Sequence, residues 1–368
     1  MPERGPPRSA PPGHEARMRV PFYFHHEFSS YDFGPSHPFQ GSRFARFLDE
    51  LGRRFPAVRE RLDIREAEAA SDDTLALVHD LSYIERVVAL EKRRGYLSPD
   101  TQLLPGSVKA ARLIVGASVA AAREAARSGF AMGFGGLHHA GRDFGEGFCI
   151  FNDVAAAAAV LLRDGMERIV VLDTDAHQGN GTMDIFYGDP RVLFVSIHQD
   201  PHTLYPGVGF VSETGSGAGE GFTVNIPMPM LADGPLYERA MTEIVHPLID
   251  EFRPEAIIRN GGSDPLYTDT LTNLGLDIDQ LSGLIRSVAE HARRSGVPLV
   301  DLFLSGYGPY VSEGWLAIVR GALGETMRLE IPERRRYVSP EQYANIEQST
   351  RIMLDELKRR LAPRWKIF

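Results

Sequence analysis

Short apolar runs rich in β-branched residues alternate along the chain with longer stretches of helical periodicity, and this alternation constrains the fold more than any other feature. The runs are VPFYF (20–24), RIVVLD (168–173), VLFVSI (192–197), FTVNI (222–226), EAIIRN (255–260) and PLVDLFL (298–304). Between or around them lie SVKAARLIVGASVAAAREAA (107–126), DVAAAAAVLLRD (153–164), LYERAMTEIVHPLIDEF (236–252) and LSGLIRSVAEHARR (281–294), each with few breakers. Near-continuous apolar strands separated by helices predict a parallel sheet covered by helices on both faces. Residues 20–330 contain no linker, repeat or low-complexity tract, so a single domain over 19–368 is expected. The segment from 340, with EQYANIEQSTRIMLDELKRRL, predicts one more amphipathic helix packed on the body.

In open parallel sheets, ligands gather beyond the carboxyl ends of the strands. The run ending at 173 leads into LDTDAHQGNGT (172–182), with Asp173, Asp175 and His177. The run ending at 260 leads into NGGSDPLYTD (260–269), with Asp264 and Asp269, and the run ending at 304 leads into SGYGPY, with Tyr307. The stretch AMGFGGLHH (131–139) ends in the pair His138–His139. Glycine beside each polar group lets backbone approach backbone closely. Asp175, His177 and Asp269 offer one nitrogen and two oxygen donors, a set suited to a divalent metal that keeps a position open for water. The set is richer in acid than the usual three-ligand zinc sites, so the donors leave zinc, Fe(II) and Mn(II) all open. Taken singly, an Asp-x-Asp at a strand end is more often a cap or a turn. Four such features at four strand ends make a joint signal.

Composition narrows the chemistry further. The chain has one cysteine, Cys149, so neither an internal disulfide nor a cysteine metal cage is available. The first 18 residues, rich in Pro, Gly and Arg, lack the apolar core of a signal peptide and read as a disordered extension. No stretch approaches the roughly 20 apolar residues of a membrane span, and a cytoplasmic location is expected. A formal net charge of −9 argues against general nucleic-acid binding and favours cationic substrates.

From about residue 20 to 325 the chain resembles the metal-dependent histone deacetylase superfamily, including its bacterial acetoin-utilisation-type members. The resemblance rests on YDFGPSHPFQGSR (31–43), GGLHHAGRDFGEGFCIFNDVA (135–155), LDTDAHQGNGT, YPGVG (205–209), NGGSDPLYTD and LSGYG (304–308), in that order. The form DAHQGNG is closer to the class IV and bacterial branch. The resemblance implies a single arginase-like α/β domain with an eight-stranded parallel sheet between helical layers. It implies Asp175, His177 and Asp269 as metal ligands and Asp173 as the acid that orients His138. It also implies a structural potassium site, formed by Asp173, the carbonyls of Asp175, His177 and Ile197, and the Ser196 hydroxyl. Gly147, Phe148, Tyr205 and Leu276 match the family's substrate-channel wall, and Arg43 matches a residue lining its acetate exit cavity. Asn180 stands where class I members carry an Asp, giving His139 a neutral partner.

The implied reaction is hydrolysis of an N-acetylated amine, typically acetyl-lysine in a protein or peptide. In it, His139 is the base, His138 its electrostatic partner and Tyr307 the oxyanion donor. Small acetylated amines such as acetylpolyamines, or longer acyl chains, are the alternative substrates. The rim segment RRGYLSPDTQLLPGSV (93–108) does not discriminate among them. The aspartate with which class I members grip the substrate backbone is not found by alignment, which puts Lys109 near its place. A catalytically dead binding module is disfavoured because every implied ligand and the tyrosine are present.

Overall fold

The computed structural model describes residues 19–332 and 338–368. The N-terminal extension read from composition lies outside the described residues. Ten strands are formed: β1 (Val20–Tyr23), β2 (Leu62–Arg65), β3 (Tyr96–Ser98), β4 (Thr101–Gln102), β5 (Phe130–Phe134), β6 (Ile169–Asp173), β7 (Val192–Gln199), β8 (Thr223–Met228), β9 (Ala256–Asn260) and β10 (Leu299–Phe303). Eight of them make one sheet in the order β2-β1-β5-β10-β9-β6-β7-β8, and every pairing in it is parallel. β3 and β4 form a separate antiparallel pair. The expected eight-stranded parallel sheet is therefore present, and β5, β6, β9 and β10 are buried along almost their whole length, as a sheet covered on both faces requires.

The six runs read from sequence correspond to β1, β6, β7, β8, β9 and β10. β2 and β5 carry weaker local signals. β5 reads FAMGF, without a β-branched residue, and is specified by pairing with β1 and β10 rather than by propensity. β2 reads LDIR on the sheet edge, where alternate residues need not be apolar. The helix expected over 236–252 is present but uneven: Gly234–Ala240 passes through a π-turn, Met241–Val245, into His246–Phe252. Pro247 lacks an N–H and its ring crowds the carbonyl four residues back, which explains the wider turn just before it. The helix at 340–361 forms as expected, capped by Ser339 through a reciprocal bond with Gln342. No described helix is long and apolar enough to cross a membrane.

Because all eight strands run the same way, their carboxyl ends share one edge. The ends of β5, β10, β9 and β6, adjacent in the middle of the sheet, emit the four polar segments singled out above.

Candidate active site

The histidine pair is positioned by a buried carboxylate. Asp153, at the start of the helix Asp153–Arg163, accepts the backbone N–H of Gly136 and of Leu137 (2.6 Å) and the Ser118 hydroxyl (2.5 Å). These bonds fix the turn that leaves β5 and aims His138 and His139 into the molecule. His138 Nδ1 lies 2.6 Å from Asp173 Oδ2, and His139 Nδ1 lies 2.7 Å from Asn180 Oδ1. The two rings therefore experience opposite fields. Burial opposes charge on His138, but Asp173 and Asp175 outweigh it and raise its pKa to about 9. His139 has no carboxylate against its ring. Burial, followed by the positive His138 and His177, pushes its pKa well below the usual value.

Beyond β6 the chain bends over 175–177, and Asp173, Asp175 and His177 face the same region. Asp175 Oδ1 accepts the His177 N–H (2.9 Å), and the Ser305 hydroxyl donates to Asp175 Oδ2. Asp175, His177 and Asp264 form a trio, all buried and with ligand atoms within 4.8 Å of one another. His177 Nδ1 is 3.2 Å from Asp175 Oδ1 and 3.0 Å from Asp264 Oδ2. Here the structure departs from the expected set, which named Asp269 as third ligand. Asp269 stands beside the trio with both oxygens drawn to backbone, Oδ1 to the Leu271 N–H (2.8 Å) and Oδ2 to the Tyr307 N–H (2.7 Å). No lysine or arginine among the described residues forms an ion pair with Asp173, Asp175, Asp264 or Asp269; His138 and His177 are the ionisable partners of the first three. Burial, then the Asp175 charge, holds the Asp264 carboxyl well above its usual range, and burial raises Asp269 to about 7. Such an excess of buried carboxylate fits a divalent cation, which would relieve both.

Asp173 also pairs in register with Ser196 across β6 and β7, and Ile197 follows on β7, all three fully buried. His198 donates from Nε2 to the Gly209 carbonyl (2.9 Å), so its Nδ1 accepts from the Ser196 hydroxyl (2.8 Å). This leaves the Ser196 oxygen lone pairs free, as a cradle for a monovalent cation requires.

A cavity of about 300 Å³ is lined by His138, His139, Asp175, His177 and Tyr307, together with Phe39, Gly147, Phe148, Leu204, Tyr205 and Leu271. Tyr205 (39% exposed) and Leu271 (38%) mark its mouth, and the histidines, 3% and 5% exposed, its inner end. Gly147 and Phe148 both have positive φ, +55° and +66°. A Cβ on Gly147 would lie 2.5 Å from the His139 ring, so only glycine lets the wall pass this close. For Phe148 the left-handed backbone costs about 1–2 kcal/mol. It is held there by Thr101 Oγ1, which accepts its N–H (3.0 Å), and by the Tyr31 hydroxyl, which donates to its carbonyl (2.5 Å).

Tyr307 points inward, 7% exposed, with its ring edge-on to Phe148 (5.8 Å) and to His177 (6.2 Å). Burial, then the Asp175 and Asp264 charges, raises its pKa well above the usual value, so the phenol remains a donor.

One channel expectation is corrected. Leu276 is fully buried against the loop, its N–H donated to the Pro265 carbonyl, and the wall position is taken by Leu271. Arg43 lies behind the wall rather than on it: its guanidinium donates to the carbonyls of Gly306 (3.0 Å), Leu304 (3.4 Å) and Pro38 (2.8 Å) and sits 4.2 Å from the centre of the Phe39 ring. It thus braces the backbone on either side of Ser305. Lys109 is paired with Glu27 and does not line the cavity, whereas Asp100, in the turn between β3 and β4, does. The sequence reading missed Asp100 because a lone Pro-Asp in a turn has an ordinary structural explanation.

Residues 37–322 match the histone deacetylase domain family. The chain is 36% identical over 308 residues to a protein of Archaeoglobus fulgidus described as a probable deacetylase, covering 81% of this chain and 85% of that one. It is 36% identical over 285 residues to a histone deacetylase-like amidohydrolase of Pseudomonas aeruginosa, covering 74% of each. With the acetoin utilization protein AcuC of Bacillus subtilis it shares 34% identity over 271 residues, covering 70% and 69%. Among solved structures, the HDA15 HD domain superposes with a TM-score of 0.81 over 95% of this chain and 97% of that one; at 23% identity this is a likeness of fold.

Proposed function

The chain belongs to the histone deacetylase family, and from that premise we propose that it is a metal-dependent hydrolase that removes acetyl groups from N6-acetyl-lysine in proteins or peptides. The observation that carries the reading is that one cavity is lined at its inner end by His138, His139, Asp175, His177 and Tyr307 and along its wall by apolar side chains. Asp175 and His177 would hold the cation together with carboxylate from the loop carrying Asp264 and Asp269. Zinc is the expected ion and Fe(II) the alternative. The chemistry such an ion would supply there is Lewis acidity toward the amide carbonyl and a lowered pKa for water.

The remaining chemistry belongs to the side chains. His139, neutral because it is buried beside positive neighbours, accepts the proton of the attacking water and returns it to the leaving amine. His138, kept charged by Asp173, supplies a fixed positive field. The Tyr307 hydroxyl donates to the oxygen on which charge develops. Gly147, Phe148, Tyr205 and Leu271 enclose the apolar stem of the acyl-lysine. Asp173, Ser196 and Ile197, with the backbone of Asp175 and His177, would hold the potassium ion. No step requires Cys149, which is buried.

Small acetylated amines bearing a second positive charge are the second reading, favoured by the Asp100 carboxylate in the cavity lining. A panel of acyl-lysine peptides and acetylated polyamines, assayed on one metal-reconstituted preparation, separates the two. Faster turnover of the polyamines would replace the first reading by the second.

A further inference from the structure

Asn180 has a second partner. Its Nδ2 donates to Glu146 Oε1 at 2.7 Å while its Oδ1 stands 2.7 Å from His139 Nδ1. We propose that Glu146 is a positioning residue, which fixes the side-chain amide of Asn180 and through it the ring tautomer of His139; this rests on the reading of His139 as the proton acceptor. The logic is one of donors and acceptors. A carboxylate has only acceptor sites, so the group Asn180 turns toward Glu146 must be its NH₂. The amide oxygen is then left facing His139, and because that oxygen only accepts, His139 must carry its proton on Nδ1. Nε2 is thereby left with a free lone pair, and no described residue bonds it. Without Glu146 the Asn180 amide can rotate by half a turn and present NH₂ to Nδ1. That places the ring proton on Nε2, and the one lone pair left, on Nδ1, is then taken up by the Asn180 amide.

His138 and His139 are thus set by a carboxylate in two different ways. Asp173 touches the His138 ring directly and fixes both its orientation and its charge. Glu146 acts on His139 across a neutral amide, so it fixes orientation without bringing a negative charge against the ring. The backbone favours this arrangement. Asn180 begins the helix Asn180–Phe186 with its N–H bonded to the Gln178 carbonyl (2.8 Å). Glu146 directly precedes Gly147, whose close approach to the His139 ring is set by the absence of a Cβ. The Glu146 charge also reaches the Tyr205 phenol, which lines the same cavity.

The test uses the full-length, zinc-loaded protein with ¹⁵N-labelled histidine. Two-bond proton–nitrogen correlation spectra report the tautomer of each ring, and His139 is assigned by its loss in His139→Ala. Wild type is expected to show His139 protonated on Nδ1. Glu146→Leu is expected to shift it wholly or partly to the Nε2-protonated form, and Glu146→Gln, whose amide can present either end to Asn180, to give a mixture. On an acetyl-lysine peptide, kcat should fall by roughly ten- to a hundredfold in Glu146→Leu, the range for lost orienting partners, with KM little changed. If Glu146→Leu does not fold, Glu146→Gln carries the test alone. Spectra with His139 still purely Nδ1-protonated in the folded variants would overturn the proposal. So would a raised KM with unchanged kcat, which would make Glu146 a channel-wall residue. If wild type hydrolyses none of the acylated amines, the deacetylase reading fails, and the spectra still decide the tautomer inference.

Discussion

Tyr307→Phe removes one hydroxyl from the inner end of the cavity and leaves the rest of the residue in place. The ring contacts with Phe148 and His177, the Arg43 guanidinium 5.7 Å from the ring centre and the backbone N–H donated to Asp269 are all retained by phenylalanine. The hydroxyl makes no hydrogen bond to a described side chain or carbonyl, so its loss should change folding stability by about 0.5 kcal/mol or less. Its effect on turnover is expected to be much larger. Loss of one oxyanion donor typically costs about 10²–10³ in rate, roughly 3–4 kcal/mol, because the bond strengthens as charge develops. Substrate affinity, single-turnover rate and metal content should be measured on the same preparation. The expected outcome is a folded, metal-loaded variant that binds acetyl-lysine peptide almost normally and turns it over slowly. Near-normal single-turnover rates would refute the assignment of the phenol as oxyanion donor.

Asp264→Asn and Asp269→Asn should each weaken metal binding, as should Asp175→Asn; if only one loop variant loses metal, that residue is the third ligand, and if neither does, the cation site is misplaced. His139→Ala should reduce single-turnover rates more than His138→Ala, with metal retained in both, and the reverse order in folded proteins would exchange their roles. His79 and His198 are both lowered by burial to about 4 and are bonded through both ring nitrogens as neutral rings. A depressed folded pKa means the unfolded chain takes up the proton first, so each ring's contribution to stability is lost as pH drops from about 6.5 toward 4, by up to about 1.4 kcal/mol per pH unit, whereas the raised carboxyls of Asp264 and Asp269 act in the opposite sense. Urea unfolding at pH 6.5 and pH 5 of wild type and of His198→Gln isolates one ring, and the same pH dependence in both would contradict it.

The polar loops were legible in the sequence because each follows an apolar run closely and pairs Gly with Asp, His or Tyr, a combination that parallel-sheet topology gathers at one edge. His138, His139, Asp173, Asp175, His177, Asn180 and Tyr307 were found this way and through the family resemblance, and the structure brings their side chains into one region. What was not legible depends on irregular backbone. Asp264 and Asp269 lie on one loop without a period, so spacing cannot tell which carboxylate turns inward, nor that Leu271 rather than Leu276 reaches the cavity. Glu146 and Asp100 gave no signal because their partners, Asn180 and the cavity itself, are distant in sequence. Arg43 required a partner that sequence could not supply; the structure provides three carbonyls. Strand β5 was missed for a related reason, since its neighbours in the sheet rather than its own residues make it a strand.

The central claim is that this cavity hydrolyses an acetylated amine with the help of a bound divalent cation. Acetate released from an N6-acetyl-lysine peptide, measured against metal content as the protein is stripped with chelator and reloaded with zinc or Fe(II), tests it most directly. The account predicts release that vanishes with the metal, returns on reloading and scales with occupancy. A folded, fully loaded protein that released no acetate from acetyl-lysine peptides or acetylated polyamines would contradict it, as would release unaffected by complete removal of the metal.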